Sequence, residues 1–207
     1  LCLGHKYLFR CLPRMLTLWF EFSEHMYDEE NKPKPSGTRS SRSDGPDPLV
    51  DVFKKIDAMI CTFKDDIPTY QWFTALPQLI SRSTHPNKST QNLVKGIIGH
   101  ILAQHPSQAV WIVTPATKSK NPTRAKIASD IIKQAIQLTD VEGAKTIQAA
   151  DRVIQELINV CKHKTQDHHV KDGLRVSQHF PSLQKVLSRH ADGRVLVPVQ
   201  SALTIVL

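Results

Sequence analysis

The chain has 207 residues, and its 27 Lys and Arg residues exceed its 19 Asp and Glu residues, which gives a formal net charge of +8 at pH 7. With 40% hydrophobic and 22% charged residues, the composition excludes both an intrinsically disordered chain and a membrane-embedded helix bundle. The four Cys residues are widely spaced, so we expect a reducing compartment and neither a disulfide framework nor a zinc module. Because the chain starts at Leu1 and ends inside the β-prone run 203–207, we expect it to be an internal fragment.

The first apolar pattern predicts a helix, because its members recur at steps of one, three and four. These members are Tyr7, Leu8, Cys11, Leu12, Met15, Leu16, Trp19 and Phe20. Pro13 lies inside the pattern, so the helix either starts again there or kinks. Residues 28–48 contain four Pro, four Ser and no large apolar residue, which predicts a disordered surface loop.

Apolar residues recur at helical spacing in five further segments, which predicts a mainly α-helical chain up to about residue 163. The segments are 49–63, 72–80, 93–102, 127–136 and 147–161, with a shorter apolar run at 109–113. Short turns that contain Pro join most of them, and no strand pattern intervenes. This order is typical of antiparallel helix pairs that stack as a TPR-like or HEAT-like solenoid.

The C-terminal part of the sequence has a different pattern. Apolar residues around Leu183 predict a short helix, and the Asp-Gly pair at 192–193 predicts a turn. Val alternates with other residues over 195–199, which predicts a short β-strand, and Pro198 places that strand at an edge or a bulge. We therefore expect residues 191–207 to open a β-containing domain.

Catalytic motifs are absent from the sequence. It has no G-x-S-x-G, no G-x-x-x-x-G-K-[ST], no H-E-x-x-H and no G-x-G-x-x-G, so we predict no catalytic, cofactor-binding or metal-binding residue. The nearest approach to a metal site is the group Cys161, His163, His168 and His169. These residues lie in a polar connector at a spacing that matches no zinc pattern, so we interpret them as solvated.

The densest basic patch is a second candidate binding feature, because clustered cations attract phosphates or acidic protein surfaces. It consists of Lys118, Lys120, Arg124 and Lys126. Aromatic residues make up 6% of the chain and fall on apolar helical faces, so the sequence offers no stacking platform for single-stranded nucleic acid. We therefore prefer a solvated helix entrance to DNA binding.

Four blocks of the sequence occur in the order found in one kinase family. They are CLPRMLTLWF at 11–20, WFTALPQLISR at 72–82, QAVW at 108–111 and VLVPVQS at 195–201. The residues that carry the resemblance are Leu12, Pro13, Arg14, Met15, Leu16, Trp19, Gln78, Leu79, Ile80, Ser81, Arg82, Trp111, Pro198 and Gln200. On these blocks the chain resembles the ATR-type serine/threonine checkpoint kinases of the phosphatidylinositol 3-kinase-related kinase family.

The resemblance implies a division into three parts. Residues 1–145 would be the C-terminal part of a FAT helical-repeat domain, with 28–48 as a disordered loop. Residues 146–190 would be a short helical hairpin that connects to the kinase, and 191–207 the first strand of the kinase N-lobe. The catalytic residues would lie downstream, so this segment would be a helical scaffold that clamps and regulates the kinase domain.

The resemblance also implies what the parent protein does. It would transfer the γ-phosphate of ATP to Ser or Thr followed by Gln, with magnesium or manganese, in the nuclear response to DNA damage and replication stress. Its partners would be its own kinase domain, a regulatory protein and protein substrates, with DNA reached only through partners, no membrane, and a homodimer of heterodimers as assembly. From the residues alone, a non-enzymatic helical scaffold that binds proteins is the alternative.

Three sets of residues have alternative interpretations within the resemblance. For the apolar residues of the first two blocks we expect core packing, including burial of Trp19. Arg14 and Arg82 either pair with a carboxylate between adjacent helices or are solvated. Thr165 and Ser177 precede Gln in the connector and are candidate self-phosphorylation sites, although we prefer coincidence as the explanation of these dipeptides.

Overall fold

The computed structural model describes residues 7–32, 48–164 and 173–189, and all regular elements within these ranges are helices. In chain order they are α1 Leu8–Asn31, α2 Pro48–Asp66, α3 Thr69–Phe73, α4 Leu76–Ser81, α5 Lys88–Gln104, α6 Pro106–Val113, a 3-10 helix Thr114–Lys118, α7 Pro122–Leu138, α8 Val141–Cys161, α9 Val176–His179 and α10 Pro181–Arg189. The chain divides into two compact units, Leu1–Ile98 and Gly99–Leu207. The predicted strand, with Pro198 and Gln200, lies outside the described residues.

Helices α1 and α2 of the first unit run antiparallel. The Trp19 indole contacts Asp57, and three residues further along α1 the Phe22 ring meets Phe53 edge-on at 5.8 Å between centroids. The contacts thus move forward along α1 and backward along α2. This is the arrangement predicted for neighbouring helices in a stack of helix pairs.

Helix α1 runs parallel to the segment that contains α4 and α5. Gln78 of α4 contacts Pro13 near the start of α1, and Thr90 of α5 contacts Ser23 ten residues further along. Both partners therefore advance together. The apolar core of this unit consists of Leu12, Leu16, Trp19, Phe20, Met26, Ile60, Ile67, Trp72, Ala75, Leu76, Leu79, Val94, Ile97 and Ile98.

In the second unit, the end of α5 runs parallel to α7. A Cβ atom at Gly99 would lie 3.4 Å from the Gln134 side chain, and the Thr139 hydroxyl donates a hydrogen bond of 2.9 Å to the Ala103 carbonyl. Helix α6 packs against α8. The core of this unit consists of Ile101, Leu102, Ala103, Ala109, Val110, Val113, Ile127, Ala128, Ile131, Ala135, Ile147, Ala149, Ala150, Val153, Ile154 and Leu183.

The predicted loop at 28–48 begins too early. Helix α1 continues to Asn31, whose side-chain amide donates a hydrogen bond of 2.7 Å to the Tyr27 carbonyl. Glu29 pairs with Lys32, so the exposed last turn is stabilised by local polar contacts rather than by burial. Helix α2 begins at Pro48 in the N1 position that proline favours. Residues 33–47 lie outside the described part of the chain.

The two proline residues of the matched blocks have different effects on the helices. Pro13 lies inside α1, which continues through it without a break. Because proline has no backbone N–H, α1 lacks one intrahelical hydrogen bond at this position. Pro77 instead occupies the first turn of α4, and residues 74–75 separate α4 from α3. The single helix predicted over 72–80 is therefore wrong, because a proline is tolerated in a first turn and disfavoured further inside.

Candidate functional site at the junction of the matched blocks

The first two matched blocks, far apart in sequence, contact one another in the first unit. The Gln78 side-chain amide donates hydrogen bonds of 3.1 Å to both the Pro13 carbonyl and the Thr17 hydroxyl. The Thr17 hydroxyl in turn donates to the Pro13 carbonyl at 2.9 Å. Gln78 therefore links α4 to the backbone of α1 at its proline.

The two arginines of these blocks have different environments. Arg82 Nη1 lies 3.8 Å from Glu24 Oε2, which forms the inter-helix ion pair that was one of its two predicted alternatives. Both side chains are close to half exposed, so screening by water limits this pair to about 0–1 kcal/mol. Arg14 is exposed, and among the described residues no ion pair includes it.

Core packing is confirmed for most apolar members of the blocks. Leu12, Leu16 and Leu79 are fully buried, and Trp19 is 3% exposed. Met15 and Ile80 are half-buried, whereas Ser81 is exposed. Trp111 of the third block lies half-buried on α6 in the second unit.

A buried carboxylate connects three helices of the first unit, and sequence reasoning missed it. Trp19 Nε1 donates a hydrogen bond of 2.9 Å to Asp57 Oδ1, and Ser89 Oγ donates one of 2.5 Å to Asp57 Oδ2. Asp57 is 9% exposed, so in the folded chain its two carboxylate oxygens accept hydrogen bonds from protein donors in place of water. We call this set of Trp19, Asp57 and Ser89 the Asp57 tie. Its sequence signal is faint, because a lone Asp on an amphipathic helix usually faces water.

His85 makes a second buried polar link between α1 and the start of α5. Its Nε2 lies 3.2 Å from the Phe20 carbonyl, and its Nδ1 accepts the Asn87 backbone N–H at 3.2 Å. These partners fit a neutral ring with the proton on Nε2, because a carbonyl can only accept. The Gln91 amide donates to the His85 carbonyl at 3.2 Å, which holds the turn on α5.

The Ser/Thr-Gln dipeptides differ in accessibility. Thr90 is fully buried and its hydroxyl is hydrogen-bonded to Ser23, so the folded chain does not present it to a kinase. Ser107 and Ser177 are exposed. Thr165 lies outside the described residues.

Both Asp57 oxygens are occupied, and within the part of the chain that the structure covers no three His, Cys, Asp or Glu residues group to hold a metal ion. Cys161 is exposed, and the His163 ring packs edge-on against Phe180 at 5.0 Å. His168 and His169 lie outside the described ranges.

The basic patch borders the start of α7. Lys118, Lys120 and Lys126 are exposed and Arg124 is half-buried. The Asn121 side chain caps α7 by accepting the Arg124 backbone N–H at 3.2 Å. The first turn of α7 thus has its own side-chain acceptor. None of the helices in the described ranges is long and apolar enough to cross a membrane.

Comparisons with known proteins identify the family. A family model described as serine/threonine-protein kinase ATR-like, HEAT repeats, matches residues 55–160. The serine/threonine-protein kinase ATR of Arabidopsis thaliana is 34% identical over 205 residues, which is 98% of this chain and 7% of that protein. ATR of Oryza sativa subsp. indica is 32% identical over 99% of the chain, and protein kinase rad3 of Schizosaccharomyces pombe is 25% identical over 86%.

The similarity has a defined extent. The chain spans about 7% of the length of the curated relatives that it matches. No solved structure matches it significantly. The family match ends at residue 160, one residue before the end of helix α8. Because the family model covers half of the chain and two plant relatives exceed 30% identity over nearly all of it, the chain belongs to the ATR-like serine/threonine-protein kinases, as part of their HEAT-repeat region.

Proposed function

We propose that the full-length protein is an ATP-dependent serine/threonine kinase of DNA-damage and replication-stress signalling, and that it phosphorylates Ser or Thr followed by Gln. The observation that carries this proposal is the 34% identity to a plant ATR over 98% of the chain. ATP and magnesium or manganese act in a catalytic domain outside these residues.

Within that kinase, the present segment acts as a helical scaffold that clamps and regulates the catalytic domain. The Asp57 tie and the Gln78 contact support this role, because satisfied buried polar groups fix one arrangement of helices more uniquely than apolar packing does. A scaffold with one fixed arrangement can transmit a partner's binding to a catalytic domain packed against it. In this account residues 1–145 belong to a FAT domain and 146–190 to a connector.

The remaining assignments follow from the same proposal. The protein works in the nucleus, binds its own kinase domain, a regulatory protein and protein substrates, and reaches DNA only through partners. It assembles as a homodimer of heterodimers. Thr165 and the exposed Ser177 in the connector are its candidate self-phosphorylation sites.

The kinase assignment is tested with the purified full-length protein, ATP and magnesium. We expect phosphate transfer to a peptide in which Ser precedes Gln, and a large loss when that Gln is replaced by Ala. Equal transfer to both peptides would overturn the proposed specificity. Absence of transfer to either peptide, by protein shown to be folded, would leave the alternative of a non-enzymatic scaffold that binds proteins.

The scaffold role is tested separately with two variants of the full-length protein. Gln78→Ala removes the donor that holds α4 on α1, so we expect a lower kcat with an unchanged KM for the peptide. Lys54→Ala on the exposed side of α2 is the matched control and should leave kcat unchanged. If Gln78→Ala has wild-type kcat, the scaffold role is wrong even though the kinase assignment stands.

A further inference from the structure

The start of helix α6 presents a Ser-Gln dipeptide to solvent. Ser107 and Gln108 are both exposed, and among the described residues no hydrogen bond to the Ser107 hydroxyl is present. Thr90 of the first unit also precedes a Gln, but it is fully buried and its hydroxyl is bonded to Ser23. Exposure therefore separates two dipeptides that look alike in sequence, and it leaves the Ser107 oxygen accessible as a nucleophile.

Ser107 lies in the first turn of a short helix, where the backbone opens readily. Helix α6 has eight residues, and Ser107 is the second of them. The His105 carbonyl accepts the Gln108 N–H at 3.3 Å and the Ala109 N–H at 2.9 Å, and these bonds close the first turn. No side-chain acceptor caps the turn. Terminal turns with few partners open locally at little cost in free energy, so a catalytic domain can bind this segment in an extended form.

A polar cavity next to Ser107 has room for a phosphate group. It has a volume of about 470 Å³ and lies within the second unit, between the α5–α6 turn and the α7–α8 turn. Its lining includes Gln104, Ser107, Thr139, Asp140 and Glu142. Helices α6 and α8 both begin at this cavity, and each helix start has a partial positive charge of about +0.5.

The charges around the cavity decide what a phosphate on Ser107 does. The first turn of α6 contains no acidic residue, whereas α8 begins with Asp140, which caps it by accepting the Gly143 N–H at 2.7 Å, and Glu142. Lys145 pairs with Glu142, but both side chains are more than half exposed, so water screens this pair. A phosphate adds about −1.5 to −2 charge beside two carboxylates, which outweighs the partial positive charges of the helix starts. The phosphate therefore repels the start of α8.

We propose that Ser107 is a further self-phosphorylation site of this protein, and that its phosphate loosens the packing of α6 against the start of α8. The inference rests on the proposed Ser-Gln-directed kinase activity. The Ser107 oxygen attacks the γ-phosphorus of ATP and forms the new P–O bond, while the bond from that phosphorus to the oxygen bridging to the β-phosphate breaks. ADP leaves, and the hydroxyl proton passes to a base of the catalytic domain.

The site is tested with purified full-length protein, ATP and magnesium, in a reaction that also contains a peptide in which Ser precedes Gln. We expect mass spectrometry to find phosphate on Ser107. Gln108→Ala should lower phosphorylation of Ser107 at least about tenfold, because the catalytic domain loses a side chain that it recognises, and should leave phosphorylation of the peptide unchanged. Gln104→Ala is the matched control, because this exposed Gln one turn earlier does not follow a Ser, and it should change neither.

The outcomes separate this inference from the kinase assignment. A phosphorylated peptide with unmodified Ser107 would overturn the inference and leave the kinase assignment standing. Equal phosphorylation of Ser107 in the wild type and in Gln108→Ala would do the same. If neither Ser107 nor the peptide receives phosphate, both proposals are wrong.

The effect of the phosphate is measured by hydrogen exchange of backbone amides in the phosphorylated protein. Ser107→Ala protein treated with ATP and magnesium in the same way is the control. We expect exchange over residues 141–147 at the start of α8 to be several-fold faster in the phosphorylated protein, because repulsion favours local opening. Unchanged or slower exchange there would overturn the loosening of α6 from α8.

Discussion

The two units of the chain use different interactions to fix their helices. In the first unit, side chains of Gln78, Asp57 and His85 form buried or half-buried hydrogen bonds between residues that are distant in sequence. In the second unit, Ala, Val, Leu and Ile fill the core, and the long-range side-chain bond described there runs from Thr139 to the Ala103 carbonyl. Apolar packing tolerates small shifts, whereas a satisfied carboxylate accepts one geometry. We infer that the arrangement of helices is fixed more precisely in the first unit than in the second.

The largest effect is expected from Trp19→Ala in the first unit. It removes a large buried side chain and leaves Asp57 Oδ1 without its indole donor, so the free energy of unfolding should fall by about 3–5 kcal/mol. Urea denaturation followed by circular dichroism measures the change. Trp19→Phe keeps most of the volume and should cost about 1–3 kcal/mol through the unpaired oxygen. Wild-type stability of Trp19→Ala would show that the indole is not buried.

The second unit is tested at Gly143, with Gly96 of the first unit as the matched control. A Cβ atom at Gly143 would clash with Thr139 Oγ1 and lie 3.0 Å from Asp140 Oδ1, so Gly143→Ala must displace the Thr139 hydroxyl and also crowds the carboxylate that caps α8. We expect a loss of about 1–3 kcal/mol in the same denaturation experiment. A Cβ atom at Gly96 in helix α5 would meet nothing within 4 Å, so Gly96→Ala should gain about 0.5–1 kcal/mol. Equal effects would contradict the crowding at Gly143.

The smallest effect is expected at the surface of the first unit. Arg82→Ala removes an ion pair that is close to half exposed, so the loss should be at most about 1 kcal/mol. It should shrink further when the salt concentration rises from about 0.05 M to about 0.5 M, because exposed charges are screened. A large loss that does not depend on salt would mean that Arg82 has a buried structural role.

Sequence periodicity predicted the helices well, but it did not predict which of their apolar faces are covered by other helices. Leu16 and Leu79 lie on predicted apolar faces and are buried, whereas Met59 lies on an equally regular face and is half exposed. The periodicity reports an apolar face and not the element that covers it, so the two cases look alike in sequence. Pro77 interrupts a helix that periodicity alone predicts to be continuous.

The buried polar contacts could not be predicted for a related reason. Asp57 binds Trp19 from 38 positions away and Ser89 from 32, and no local pattern connects such residues. Gln78 was identified through the family resemblance, but its partners at Pro13 and Thr17 follow only from the packing of α4 on α1. Hydrogen bonds between distant segments depend on tertiary geometry, which one sequence does not contain.

The most direct test of the first unit's special character is a double-mutant cycle through the Asp57 tie. Trp19→Phe and Ser89→Ala each remove one donor to Asp57, and the double variant removes both. We predict that the losses in unfolding free energy are non-additive by about 0.5–3 kcal/mol, because the two donors share one buried carboxylate. Strictly additive losses would show that Trp19 and Ser89 act independently, and would contradict the claim that Asp57 ties the three helices together.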